Sequence, residues 1–258
     1  MSPRSPLVIV IGANVAMCLV ALGVGAVIAP LPFGKRVRRY GLAGLPLGAI
    51  CAVIAWHGHV SRLGGGLLVV LYFAYVAGIW ILEGQPPAIG ETGELVEAKS
   101  EVKTRPRRRV GLDVGMIILG IAAMSIGATA LVEGVRHLSH VDAAQTKLGL
   151  TLVGFATAFE LVALAWAASR RGATEAVVAA VVGSYAYNVT MTLGASALAR
   201  PLQIAHAGAL HMPFVVMIAV MSAVLVMAWR SGKLGRRSGV VLLACYPVFI
   251  VGVLVARR

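Results

Sequence analysis

One carboxylate stands inside the apolar part of this 258-residue chain. Glu160 is the only acidic residue well within an apolar stretch, and an ionisable group at membrane depth is costly enough to be a functional hypothesis by default. Thr157 precedes it by three residues, so the two side chains share one face of a helix. The structural alternative is a buried, neutral Glu160 that a neighbouring hydrogen bond holds in place.

Neutral oxygens follow in the next apolar stretch, where Ser184 and Asn188 are four residues apart and therefore also share a helix face. A carboxylate combined with hydroxyl and amide oxygens is the ligand set that hard cations such as calcium or sodium prefer. Gly149, Gly154 and Ala156 leave little side-chain bulk beside it, so another helix or an unwound turn could approach closely. These residues predict a cation site between helices.

The composition indicates that these residues lie in a membrane protein. The chain is 59% hydrophobic and only 13% charged, whereas about 25% of a soluble domain is charged. The stretch 41–56 is short and interrupted by Pro46, so its alternative is a re-entrant segment. The sequence predicts an all-α polytopic membrane protein with eight transmembrane helices. The predicted spans are residues 7–30, 41–56, 64–82, 114–132, 148–168, 176–199, 213–229 and 240–256.

The basic residues predict the orientation of the chain. The net charge is +13, and on an eight-span topology sixteen of the 23 Lys and Arg residues lie on one side of the membrane and seven on the other. By the positive-inside rule the richer side is cytoplasmic, which places both termini outside the cell membrane. Because topology accounts for the charge, no nucleic-acid partner is predicted.

The first apolar stretch is repeated later in the chain without a gap. When the two copies are aligned, Gly12 falls on Gly183 and Pro30 falls on Pro201. The shift covers five spans, an odd number, so the two copies cross the membrane in opposite directions, as in the inverted repeats of secondary transporters. Spans one to three match spans six to eight, whereas spans four and five lack counterparts. We therefore expect two further helices before Met1.

This repeat predicts three units. Residues 1–83 form an incomplete first repeat of three helices, residues 84–110 form a polar cytoplasmic linker, and residues 111–258 form a second repeat of five helices. The alternative for the basic end of the linker is a regulatory or anionic-lipid contact.

Two motifs resemble those of the cation/calcium exchanger superfamily, the sodium/calcium exchanger membrane region. GLTLVGFATAFE at 149–160 is similar to GLTIVAFGTSxPE, and GSYAYN at 183–188 is similar to GSNxFN. The likeness extends over about residues 111–201, and GANVAM in the first stretch is a fainter match. The resemblance implies a fold of ten helices in two inverted halves. The cation-coordinating positions that it implies are Thr157, Glu160, Ser184 and Asn188.

The motifs also depart from the family pattern. Ala158 replaces a Ser, the Pro is absent, and Glu160 follows Thr157 by three positions instead of four. Loss of the Pro removes an expected helix break. Ala13 and Met17 stand where the first-half motif would supply side-chain oxygens. Because calcium takes about six or more oxygens, this chain alone is expected to fall short of full sodium/calcium exchange.

The favoured function is a cation antiporter that exchanges sodium or protons for a cation such as calcium by alternating access. The alternative is a non-transporting membrane protein that keeps the exchanger fold. An enzyme is disfavoured, because the six histidines lie at span ends or in loops and form no HExxH motif. No cofactor is expected. The predicted partners are membrane lipid and inorganic cations, and assembly as a homo-oligomer is compatible with the sequence.

Overall fold

Seven long apolar helices build the part of the chain that the computed structural model describes: residues 6–83, 146–204 and 207–255, with six single helical residues between 115 and 130. The helices have 20 to 26 residues and mean hydropathies of 1.3 to 2.6, so each can cross a bilayer. They are α1 Pro6–Ile28, α2 Lys35–Ala55, α3 Arg62–Glu83, α4 Thr146–Arg170, α5 Thr174–Ala199, α6 Gly208–Ser231 and α7 Arg236–Val255.

These helices confirm seven membrane-capable segments. The stretch 41–56 belongs to α2, which continues through Pro46 as one helix and begins at Lys35, so it is not a re-entrant segment. The predicted linker 84–110 and most of the predicted span 114–132 lie outside the described residues. The fold class is therefore a helical membrane protein, as predicted.

Three of the helices contain a π-helical turn. These turns cover Met17–Ala21 in α1, Gly149–Val153 in α4 and Asn188–Thr192 in α5. A π turn inserts an extra residue into the helical ladder and often occurs at functional sites. The turns in α1 and α5 start at Met17 and Asn188, which are equivalent positions in the same alignment that places Gly12 on Gly183.

Two short antiparallel strand pairs join connections that are distant in the chain. Strand β1 (Leu31–Pro32) pairs with β4 (Lys233–Leu234), and β2 (His59–Val60) pairs with β3 (Leu202–Gln203). Strands β1 and β2 flank α2, whose 21 residues rise about 30 Å. The pairs therefore lie at opposite ends of the bundle. Since α1 leads into β1 and α5 leads into β3, these two helices run in opposite directions.

Glycines permit close crossings in two helix pairs, α3 with α5 and α7 with α1. A Cβ on Gly65 of α3 would lie 2.8 Å from the carbonyl oxygen of Gly194 in α5. A Cβ on Gly239 of α7 would lie 2.8 Å from the carbonyl oxygen of Gly23 in α1. Backbones can approach this closely only without side chains between them. The pairs α3–α5 and α7–α1 are thus packed in the same way.

Burial places α1 at the centre of the described bundle. In its most apolar 18 residues α1 is 89% buried, whereas α3 and α7 are each only 22% buried. The exposed residues of α3 include Leu63, Val70 and Phe73. An exterior of this kind suits contact with lipid.

Candidate cation site

The candidate carboxylate lies near the middle of α4. The motif at 149–160, which lacks the Pro, begins in the π turn Gly149–Val153 and continues without a break into regular α-helix from Gly154 to Arg170. Thr157 donates its hydroxyl hydrogen to the carbonyl oxygen of Gly154 at 3.0 Å. The side chains of Thr157 and Glu160 are exposed, whereas Ala158 between them is buried. Both oxygen-bearing side chains therefore lie away from the packed side of the helix.

The backbone of α1 crosses α4 next to this motif. A Cβ on Gly154 would lie 2.7 Å from the carbonyl carbon of Gly12, and one on Gly149 would lie 2.8 Å from Val8. The close approach predicted at Gly149 and Gly154 is thus observed. Further along, a Cβ on Gly25 would lie 3.2 Å from the hydroxyl of Ser169. The two helices consequently run in the same direction from Gly12 onward.

The amide of Asn188 connects α5 to α1. Its Nδ2 donates to Oδ1 of Asn14 at 3.2 Å, and its Oδ1 accepts from the hydroxyl of Thr192 at 3.4 Å. Asn188 is the first residue of the π turn of α5. Ser184 lies one turn earlier, and both Ser184 and Asn188 are half-buried. The helix therefore presents these two oxygens near its distorted turn.

Asn14 is the residue of this site that the sequence reasoning missed. It is fully buried in α1, and its Nδ2 donates to Sδ of Met217 on α6 at 3.6 Å. The signal was present, because a side-chain amide inside an apolar span is costly unless it finds a hydrogen-bond partner. Asn14 is also the third residue of GANVAM, where GSNxFN has Asn too.

The residue that aligns with Asn14 in the later copy of the first apolar stretch is not an asparagine. Tyr185 is the counterpart of Asn14 in the repeat and is fully buried. Its hydroxyl rests against Gly48 of α2 and has no hydrogen-bond partner among the described residues. The two aligned stretches therefore differ in chemistry at this position, with an amide in one and a phenol in the other.

The structure places the four predicted ligands in two groups. Thr157 and Glu160 lie on the exposed side of α4, and Ser184 and Asn188 lie half-buried on α5. Within the described ranges, no three His, Cys, Asp or Glu side chains gather as a metal centre. A cation bound here would be held by one carboxylate and mainly by neutral oxygens.

A family model and several relatives match the chain. The model described as "Sodium/calcium exchanger protein" matches residues 112–255. An uncharacterized membrane protein of Methanocaldococcus jannaschii is 26% identical over 245 residues, which are 93% of this chain and 75% of the relative. Inner membrane protein YrbG of Escherichia coli is 28% identical over 248 residues, 93% of this chain and 74% of the relative.

Two further matches are to exchangers. Sodium/calcium exchanger MaX1 of Methanosarcina acetivorans is 31% identical over 140 residues, which are 54% of this chain and 40% of the relative. The solved structure of the sodium-calcium exchanger NCX_Mj, soaked with Na⁺ and Sr²⁺, superposes with a TM-score of 0.68 at 21% identity. That match covers 99% of this chain and 78% of the exchanger chain, and it establishes similarity of fold.

Proposed function

The chain belongs to the sodium/calcium exchanger protein family, and on this premise we propose that it is a cation antiporter. It exchanges sodium or protons for a cation such as calcium across the membrane by alternating access. The observation that carries this proposal is the position of Glu160, a carboxylate near the middle of a 25-residue apolar helix. Such a residue in a membrane helix marks an ion pathway more often than a structural contact.

We assign the cation ligands to the side-chain oxygens of Thr157, Glu160, Ser184 and Asn188. Glu160 supplies the negative charge. The neutral oxygens select between cations by the size of the cavity that they form and by the number of ligands that they provide. Four side chains are fewer than calcium ordinarily requires. The π turns of α4 and α5 help to supply the remainder, because a distorted ladder leaves main-chain carbonyls available to an ion.

We further propose that α1–α3 and α5–α7 are corresponding parts of an inverted repeat within a ten-helix fold, with residues 1–83 and 111–258 as its halves and 84–110 as the linker. The equivalent positions of the π turns, the strand pairs at opposite ends and the matching glycine crossings support it. Transport then consists of one set of helices rocking against the other around a fixed site.

The orientation is proposed from the basic residues at the β1–β4 end. Lys35 and Arg38 begin α2, and Arg236 begins α7, so these cations gather where β1 and β4 pair. The positive-inside rule makes this end cytoplasmic and leaves the N-terminus of α1 at the outer face.

Uptake of radioactive calcium into vesicles tests the function. Purified protein is reconstituted into vesicles loaded with sodium or with acid, and uptake is compared with that of Glu160→Gln. The matched control is Glu175→Gln, the same substitution at an exposed position in the first turn of α5. We expect gradient-driven uptake that is lost in Glu160→Gln and kept in Glu175→Gln. Folded protein that moves no cation under either gradient would instead indicate a non-transporting membrane protein.

A further inference from the structure

The chain contains two asparagines, and the structure bonds them to each other. Asn14 and Asn188 are 174 residues apart in sequence, and their amides meet between α1 and α5. The other side of Asn14 contacts the thioether of Met217 on α6. Three helices are therefore joined by a chain of two hydrogen bonds inside the bundle.

The chemistry of Met217 determines which group donates and which accepts in these two hydrogen bonds. A thioether sulfur accepts hydrogen bonds and has no hydrogen to donate. The NH₂ group of Asn14 must therefore face Met217, which turns its carbonyl oxygen toward Asn188. A carbonyl oxygen needs a hydrogen donor, and the only donor of the Asn188 side chain is its NH₂ group, which therefore faces Asn14.

The carbonyl oxygen of Asn188 is thus left on the opposite side, toward the hydroxyl of Thr192. We propose that Met217 and Asn14 are positioning residues that hold Asn188 with its oxygen, and not its nitrogen, turned toward the bound cation. The inference rests on the proposed function, since it assigns the orientation of a ligand of that site. Asn14 and Met217 are both buried and act through Asn188 without contacting the cation.

The direction matters because an amide is symmetrical in shape but not in charge. A carbonyl oxygen attracts a cation, whereas an NH₂ group in the same place repels it. The family-type motif of the first half lacks a side-chain oxygen at Ala13 and Met17. On this proposal Asn14 contributes to the site indirectly, through the geometry of Asn188.

The first test reads the amides directly. Protein carrying ¹⁵N only in asparagine side chains gives NMR signals from two NH₂ groups, because the sequence has two asparagines. The Asn14→Leu variant assigns them. We expect Met217→Leu, which conserves volume, to shift or broaden the signals of both asparagines. The matched control is Met221→Leu, a fully buried methionine one turn further on α6, which should leave both signals in place.

The second test measures calcium uptake as a function of calcium concentration. Met217→Leu and Asn14→Leu should each raise the half-saturating concentration about threefold to tenfold, the factor for losing one neutral hydrogen bond. The maximal rate should stay within about twofold, and Met221→Leu should match the wild type in both values. A purely structural role would instead lower the amount of folded protein or the maximal rate.

The outcomes separate the two proposals. Signals of Asn188 that do not respond to Met217→Leu, or an unchanged half-saturating concentration in both variants, would overturn the positioning role. Absence of uptake in the wild type would overturn the transport function, while the NMR test would still decide whether the amides are coupled. If Met217→Leu does not fold, Asn14→Leu supplies the same measurement of half-saturation.

Discussion

Replacing Gly154 with alanine should push α1 and α4 apart at the level of the candidate site. The new Cβ would lie 2.7 Å from the carbonyl carbon of Gly12 and 2.8 Å from the nitrogen of Ala13. Carbon atoms in contact prefer separations of about 3.5–4.0 Å, so the backbones must separate by roughly 1 Å. Because these neighbours are main-chain atoms, no side-chain rotation can relieve the overlap.

The change in the free energy of unfolding on Gly154→Ala follows from two opposing contributions. Overpacking of a filled interior costs about 1–3 kcal/mol, and a backbone contact belongs at the upper end of that range. Alanine offsets about 1 kcal/mol of this through its better helix propensity. The free energy of unfolding should therefore fall by about 1–2 kcal/mol. For a chain of this size the melting temperature would fall by about 2–8 °C.

Thermal unfolding in detergent, followed by circular dichroism, measures this effect. The control is Gly78→Ala in α3, because a Cβ at Gly78 meets no atom within 4 Å. The same substitution should there leave the melting temperature unchanged or raise it slightly. Equal or greater stability of Gly154→Ala than of Gly78→Ala would refute the close crossing. Calcium uptake should also decrease in Gly154→Ala, because α4 carries Glu160.

Three further predictions concern other parts of the chain. Calcium uptake should fall as the pH is lowered through the acid range, because the ligand that we propose, Glu160, attracts a cation only as a carboxylate; pH-independent uptake in vesicles would contradict this. Gly48→Ala should lower the melting temperature, since its methyl group would meet the hydroxyl of Tyr185, at a cost of about 1–3 kcal/mol; a wild-type melting curve would show that α2 can move away. Gly232→Ala should cost about 1 kcal/mol in the same assay, because Gly232 ends α6 with a φ of 69° in open space; no change would mean that this φ is not required.

The seven described helices were predictable because apolar length is a direct requirement of a bilayer. The start of α2 was placed too late, at residue 41, because hydropathy excludes the basic residues from Lys35 to Arg39. A helix can continue into the headgroup region, where long basic side chains remain hydrated. Hydropathy therefore locates the hydrocarbon crossing better than it locates the ends of the helix.

The sequence was also sufficient for contacts that depend on small residues. Gly149 and Gly154 were expected to admit another helix or an unwound turn, and the helix α1 fills that place. The π turns of α1 and α5 were not predictable, because Met17–Ala21 and Asn188–Thr192 contain no Pro or Gly and their extra residue depends on packing against neighbours. The assignment of cation ligands remains a prediction.

The hydrogen bond between Asn14 and Asn188 could not be predicted from the sequence for another reason. Each amide is noticeable by itself, but nothing in the local sequence specifies a partner 174 residues away. Only the packing of α1 against α5 brings the two together. A rule that pairs all polar groups within apolar spans would have identified both as candidates.

The strand pairs have a consequence for the synthesis of the protein. Leu31 of β1 pairs with Leu234 of β4, so most of the chain must be added before the first connection obtains its partner. At about 5–20 residues per second, synthesis of the intervening chain takes roughly 10–40 s. Throughout that time α1 and α2 must reside in the bilayer with β1 unpaired at its surface. The first connection is therefore among the last parts of the described fold to be completed, because β4 follows α6 in the chain.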